Sequence, residues 1–464
     1  MSYLHAARQA ETGIKNSTLI LITFATVFFP RLLSFFGAPS AINFAHFAVV
    51  LGFAGYVVAK AKPTPKQRQA AGQLAFAIGA LLVCEFASAL LNQAGLINVC
   101  ISFMLLAEPF IFLLALTLVP LTAKSLEKVN KWVLIFATSN LGLALAQAVL
   151  LPIGLYPRPG GGTIEDNITG VFGGGGGSAG NYVSCTISFY IGLLLLQRFK
   201  GVPIWIRGAF LFASVAQIQI SDSKQVFLAL VGGWALLALT KVKNPRKLII
   251  YSVLAISFLM FAYWAILNLD YGFLSAYRNW LTRDGLFGLE GKATLAKTAA
   301  FRTVPTYYSS ILNWFFGLGP GHTVSRLGGW ILRDYSSLLA PLGSTVSEVS
   351  QAVPRSVEDG WLLQESTVYS PSFTWAGIWG DLGFVGLGSY LFICLVVWKQ
   401  FCVDDFCRFL LLSTAAFGLI ITQMEEPGHV LTVAILIGLK WHERRLRNDE
   451  ISRSYMLGKV TCNL

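Results

Sequence analysis

Two stretches of this chain hold polar residues in patterns that can grip a phosphate. The first is Ser221-Asp222-Ser223-Lys224-Gln225, a polar cluster wedged between apolar runs. A Lys at the mouth of an apolar helix either snorkels to the interface or faces an anionic ligand. Here Lys224 supplies a point charge, with hydroxyl donors and Asp222 beside it. The second stretch opens with Arg278, Arg283, Lys292, Lys297 and Arg302 and runs into Phe316-Gly317-Leu318-Gly319-Pro320-Gly321-His322. Arg302 has the planar fork that suits a pyrophosphate, while its neighbouring cations could equally touch only lipid headgroups. Gly319 and Gly321 belong to a glycine turn of the kind that leaves backbone N–H groups open to an anion. His322 is either a bystander or a general base. Arg326, Arg278 and Lys297 add charge for substrate binding, and Tyr307 and Tyr308 add stacking surfaces with Trp280, Trp314 and Trp330.

The elements that must position these residues are mostly apolar. The chain has 464 residues, 55% of them hydrophobic and 12% charged, with mean hydropathy +0.63. Soluble domains carry about 25% charged residues. Repeated apolar runs of about 20 residues are what a ~30 Å hydrocarbon core requires. The pattern predicts an all-α polytopic membrane protein with about twelve spans: 17–37, 40–60, 72–92, 96–121, 131–152, 179–199, 203–220, 224–240, 248–268, 373–398, 408–422 and 427–440. Three regions follow: spans one to nine over 1–268, a hydrophilic connection over 269–372, and spans ten to twelve over 373–440 with a basic tail, 441–464.

With the N-terminus in the cytoplasm, the basic residues fall into cytoplasmic connections, as the positive-inside rule requires. These are Lys60 to Arg68, Lys124 to Lys131, Arg198 with Lys200, Lys241 to Lys247, Lys399 with Arg408, and Arg444 to Arg447. The 269–372 connection then lies outside, balanced at eight Lys/Arg and eight Asp/Glu. This charge distribution accounts for the net charge of +12 without nucleic acid as a partner. The first apolar run reads as a retained helix rather than a cleaved leader. None of the seven cysteines falls in an outside connection, and no spacing fits a disulfide framework, a metal centre or a nucleotide loop. The sequence therefore predicts neither metal nor cofactor.

Within the long connection, 289–316 reads as an amphipathic helix. Pro305 breaks or kinks it, and Tyr307, Tyr308, Ile311, Trp314 and Phe315 form a face suited to lying in the interface. A Gly- and Pro-rich loop at 153–178 is either a surface linker or a backbone built to approach a phosphate. Glu85 and Glu108 lie inside apolar spans, where ionisable groups are functional candidates by default. Glu108 precedes Pro109, so the pair could instead cap a broken helix. Asp381 sits in Gly380-Asp381-Leu382-Gly383 of the tenth span.

Three stretches together resemble the O-antigen polymerase and O-antigen ligase superfamily of bacterial envelope glycosyltransferases. They are Gly170-Val171-Phe172-Gly173 followed by Ala179-Gly180-Asn181-Tyr182; Ser223-Lys224 followed by Val226 to Leu230; and the outer connection from Arg302 to Gly321, with Gly380-Asp381-Leu382-Gly383-Phe384-Val385-Gly386-Leu387 after it. The likeness covers roughly 170–400. Lys224 stands where the family usually has Arg. The His-Asn pair that ligases place ahead of this last helix is replaced by Ser372-Phe373, which tilts the resemblance toward polymerase. It implies metal-independent, inverting transfer of a glycan from an undecaprenyl-diphosphate-linked donor at the outer face of the bacterial inner membrane. Lys224 and Arg302 would stabilise the leaving diphosphate. The partners it implies are the lipid-linked glycan, membrane lipids, a chain-length regulator and a flippase. Two other classes compete: a transporter or lipid-glycan flippase, which usually shows two matching halves, and a non-catalytic envelope scaffold.

Overall fold

The computed structural model describes residues 15–158, 162–173, 180–242, 245–283, 285–357 and 367–461. Most of the Gly173–Gly177 run and the 358–366 stretch lie outside the described residues, as do the side chain of Trp280 and Cys462. The described chain is helical, with no strand.

The helices that matter here are α1 (Asn16–Phe28), α2 (Pro30–Phe35), α3 (Ala45–Lys60), α4 (Pro65–Asn92), α5 (Leu96–Leu118) and α6 (Ala123–Leu150). They continue as α7 (Gly180–Arg198), α8 (Ile204–Ile220), α9 (Lys224–Lys241), α10 (Pro245–Asn268) and α11 (Gly272–Leu281). The long connection contributes α12 (Lys292–Thr303), α13 (Leu312–Phe316) and α14 (Val349–Arg355). The last three are α15 (Thr374–Gln400), α16 (Asp405–Phe417) and α17 (Pro427–Thr461). Among the described residues six segments, α3 taken with the turn before it (Ser40–Lys60), α4, α5, α6, α9 and α15 with the turn before it (Thr367–Gln400), are long and apolar enough to cross a membrane. The chain is an all-α membrane protein.

Local chemistry sets the boundaries. Thr64 and Gln67 form a reciprocal capping box at the start of α4. Thr122 caps α6, and Asp404 caps α16 by accepting from the Cys407 amide at 2.9 Å. The first apolar run is not one helix: α1 ends at Phe28, and α2 begins at Pro30 after the single residue Phe29. Glu108 and Pro109 do not break α5, which runs continuously from Leu96 to Leu118. In the expected 289–316 helix, α12 stops at Thr303, and the tighter turn Val304–Tyr307 places Pro305 where its missing N–H is tolerated.

The core is centred on α5. In its most apolar stretch 83% of residues are buried, against 28–50% in the other five long helices. α4 and α17 pack along it, α15 packs along α4, and α9 packs along α16. The outward apolar faces of the peripheral helices, such as Phe76, Leu90 and Trp234, are what a lipid environment accommodates.

The long connection is fastened to the bundle through α15. Gly383 interrupts that helix at φ 65°, and Gly317, at φ 69°, ends α13 beside it. A Cβ on Gly383 would sit 2.4 Å from Phe315 backbone, and one on Gly317 would sit 2.3 Å from Asp381 backbone. Only glycine permits both the backbone conformation and this approach.

Candidate functional site: an arginine-lined cavity

A cavity of about 740 Å³ opens at the end of the bundle covered by the long connection. Its wall comes from five places: the α1–α2 break (Thr26 to Phe35), the approach to α3 (Ser40 to Phe47), Leu105 of α5, Arg326 to Tyr335, and Glu426 to Gly428 at the start of α17. Arg31, directly after Pro30 at the start of α2, lines the cavity with it.

The charges converge on Glu426. Arg31 Nη2 donates to Glu426 Oε1 at 2.6 Å, and the Arg326 guanidinium pairs with Glu426 Oε2. The Arg326 backbone N–H donates to Glu425 Oε2 at 2.7 Å, and its guanidinium lies 5.0 Å from the centre of the Trp330 ring. All these groups are nearly removed from solvent: side-chain exposure is 15% for Arg31, 9% for Arg326 and 4% for Glu426. Burial works against a charge on Glu426, but Arg31 and Arg326 outweigh it and hold its carboxyl below the usual range. Two guanidiniums share this one carboxylate. Arg31 Nη1 and Arg326 Nε find no acceptor among the described residues, a donor surplus that suits an anion.

A second dyad stands in the same wall. His46 Nδ1 is 2.6 Å from Glu108 Oε1, and both residues are buried. Nε2 has no hydrogen bond among the described residues, and His46 lines the cavity. A carboxylate on one imidazole nitrogen fixes the ring and leaves the other as a proton acceptor.

Two apolar grooves run along the bundle beyond the turn that carries Glu425. One, about 400 Å³, lies among α5, α15, α16 and α17 and includes Tyr390, Met424 and Val430. The other, about 570 Å³, is lined by Phe301, Trp314, Trp379 and Phe384. Trp375 and Leu391 border both.

Of the residues singled out in the sequence, Arg326 and Trp330 line the arginine cavity. Lys224 pairs instead with Asp222, Nζ to Oδ1 at 2.5 Å, and lies 5.9 Å from the centre of the Tyr277 ring. Asp222 reaches that position through a left-handed turn at φ 46°. Arg302 folds back on α12, donating to Leu295 O at 2.6 Å and to Thr298 Oγ1 at 3.3 Å. Arg278 caps the end of α10 through Ile266 O and Leu269 O. Lys297 donates to Ser370 O at 3.0 Å and Ile420 O at 2.5 Å, tying α12 to the connection between α16 and α17, and burial lowers it to about 7. Tyr308 packs on Trp314 at 5.1 Å, and Tyr307 is exposed.

The glycine turn corrects one expectation. Its amides are not open to a ligand, because they already donate to acceptors of the chain itself. Asp381 accepts from Gly321 N at 2.8 Å, from Thr323 N at 2.8 Å and from Thr323 Oγ1 at 2.5 Å, while Gly319 N donates to Asp381 O at 3.0 Å. Gly319, Gly321 and Asp381 thus fasten the connection to α15. His322 is likewise engaged on both sides, Nδ1 to Leu318 O and Nε2 to Thr345 Oγ1, each at 2.9 Å. That leaves neither nitrogen free for proton transfer.

Arg31, His46, Glu425 and Glu426 are the residues that sequence reasoning missed. One signal was available for Arg31 and His46: each is a polar residue inside an apolar run, the same criterion that singled out Glu85 and Glu108. No protein-family model matches the chain, and no curated protein matches it.

Proposed function

We propose that the chain is a membrane glycosyltransferase that polymerises undecaprenyl-diphosphate-linked oligosaccharide repeats at the outer face of the bacterial inner membrane. In this reading twelve helices span, both termini are cytoplasmic, and the long connection covers the outer end of the bundle. The observation that carries it is the arginine cavity: two buried guanidiniums sharing one carboxylate, with unpaired donors, at the bundle end beneath the long connection. A diphosphate needs such cations close to the membrane surface, and a polyprenyl tail needs an apolar groove such as those bordered by Trp375.

The chemistry follows from the groups present. A hydroxyl oxygen of the acceptor sugar attacks the anomeric carbon of the donor glycan with inversion. The bond from that carbon to the diphosphate oxygen breaks, and the lipid diphosphate leaves with the electron pair. His46 Nε2 takes the hydroxyl proton while Glu108 steadies the resulting imidazolium. Arg31 and Arg326 stabilise the charge that develops on the leaving diphosphate. In the ligase alternative, the same groups serve transfer to another acceptor.

A second reading, an ion-coupled carrier of a lipid-linked glycan, is favoured by one observation: buried carboxyl groups cluster beside the cavity. Glycan chain length separates the two. Cells lacking this gene would be complemented with wild type, Arg31→Gln or His46→Gln, with protein levels checked. Single-repeat glycans with either variant support the polymerase. Long chains left on the lipid carrier mean ligase. Wild-type glycan in every strain would sink the glycosyltransferase reading.

A further inference from the structure

Behind the arginine cavity lies a small void of about 10 Å³, bordered by Ser102, Ser325, Gly377, Asp381 and Glu425. It is the size of one water or one small ion, since a bound water needs about 10–15 Å³. The carboxyl groups around it are unusually many for a bundle interior. Glu85 is 0% exposed, Asp381 2%, Glu425 2% and Glu426 3%. Glu85 is within electrostatic reach of both Asp381 and Glu425.

These four differ in how they are satisfied. Asp381 is caged by amide and hydroxyl donors, and Glu426 holds two guanidiniums. Glu425 accepts the Arg326 backbone N–H through Oε2, the Thr374 hydroxyl lies near its carboxyl, and its Oε1 makes no geometrically good hydrogen bond among the described residues. Glu85 accepts only from Ser102 Oγ, at 2.9 Å through Oε1, and its Oε2 also has no partner. Ser102 lines the void, so the path from Glu85 to Glu425 runs through Ser102 and the void itself. A buried carboxyl oxygen without a donor is costly unless a proton or a cation meets it.

We propose that Glu85, Glu425, Ser102 and Ser325 form a binding site for a small monovalent cation, a proton or sodium, inside the bundle. The site is joined to the arginine cavity by a single residue step. Glu425 accepts from the Arg326 amide, and Glu426, next to it, holds the Arg326 and Arg31 guanidiniums. Occupancy therefore sets where the two arginines stand, in a glycosyltransferase and in a carrier alike. The titratable and charged groups facing Glu425 are Arg326, Asp381, Glu85 and Tyr390; those facing Glu85 are Asp381, Glu425 and Cys84.

The test is thermal stability of the detergent-purified full chain against pH, in sodium chloride and in choline chloride. Burial raises the Glu425 carboxyl from 4.5 to about 8, against the opposing pull of Arg326. A raised carboxyl contributes stability that is complete below its unfolded value and lost as pH climbs through the folded one. The melting temperature should therefore fall between pH 4.5 and about 8. A fall that is equal in both salts identifies the ligand as a proton. A fall that sodium prevents and choline does not identifies it as sodium. Glu425→Gln and Glu85→Gln, which keep the shape of the protonated acid, should each flatten the dependence. A wild-type melting temperature indifferent to both pH and sodium overturns the proposal, as do variants that keep the full dependence. If a variant does not fold, infrared difference spectra of the wild type decide. A neutral-carboxyl band lost on alkalinisation or on adding sodium supports the site, and absence of such a band overturns it.

Discussion

Two clusters of this molecule bring a cation against a carboxylate, and they do opposite things with it. At the turn between α8 and α9, Lys224 meets Asp222 two residues away, one charge to one, with side-chain exposures of 27% and 53%. At the arginine cavity, Arg31 and Arg326 meet one Glu426 from positions hundreds of residues apart, and both retain unpaired donors. The first is a local ion pair that water can screen. The second is a buried, long-range assembly with a surplus of positive charge facing about 740 Å³ of space. A cation's surroundings, more than its presence near an apolar helix, decide whether it can hold a ligand.

The comparison can be broken first through stability. Glu426→Ala leaves two buried guanidiniums unopposed and should cost about 3–5 kcal/mol, whereas Asp222→Ala should cost about 0–1 kcal/mol. Denaturation midpoints in detergent measure both, and equal costs would erase the distinction. Activity sharpens it next. Removing a preorganised charge that stabilises a leaving group costs about 10²–10³ in rate, so Arg31→Gln should lower glycan transfer by that order with purified lipid-linked donor. Lys297 offers a pH-dependent contrast, since its amine is lowered by burial from 10.5 to about 7. The unfolded chain then binds the extra proton between those values, so wild-type stability should rise with pH across that window. Lys297→Met should remove the rise, read as the slope of melting temperature against pH. The smallest effect expected is that of Lys224→Ala, which should leave transfer within about threefold, under 1 kcal/mol.

Much of the fold could be read from the chain because membrane helices announce themselves locally. The apolar runs fall on helices, six of them long and apolar enough to cross a membrane among the described residues, and α12 stops at Thr303 just before Pro305. The exceptions were also local: the first run divides just before Pro30, and α5 absorbs Pro109 without breaking. The site was less legible, because its defining contacts are remote. Arg31 and Glu426 are 395 residues apart, and no local pattern pairs them. Arg326 stood out as a charge, but nothing near it in sequence distinguished it from Arg302, which folds back onto its own helix. The glycine turn reads as one that leaves N–H groups open to an anion, and spacing could not reveal that the Asp381 carboxyl, 60 residues from Gly321, already accepts from it.

The most direct measurement is retention of undecaprenyl diphosphate by the purified protein, read by native mass spectrometry for wild type, Arg31→Gln, Arg326→Lys and Lys224→Ala. The arginine-cavity account predicts that wild type and Lys224→Ala retain the lipid. Arg31→Gln should lose at least about tenfold in affinity, roughly 1.4 kcal/mol, and Arg326→Lys should weaken it by removing the planar fork. Undiminished retention by both arginine variants, with loss only in Lys224→Ala, would place the diphosphate at the α8–α9 turn and contradict the account.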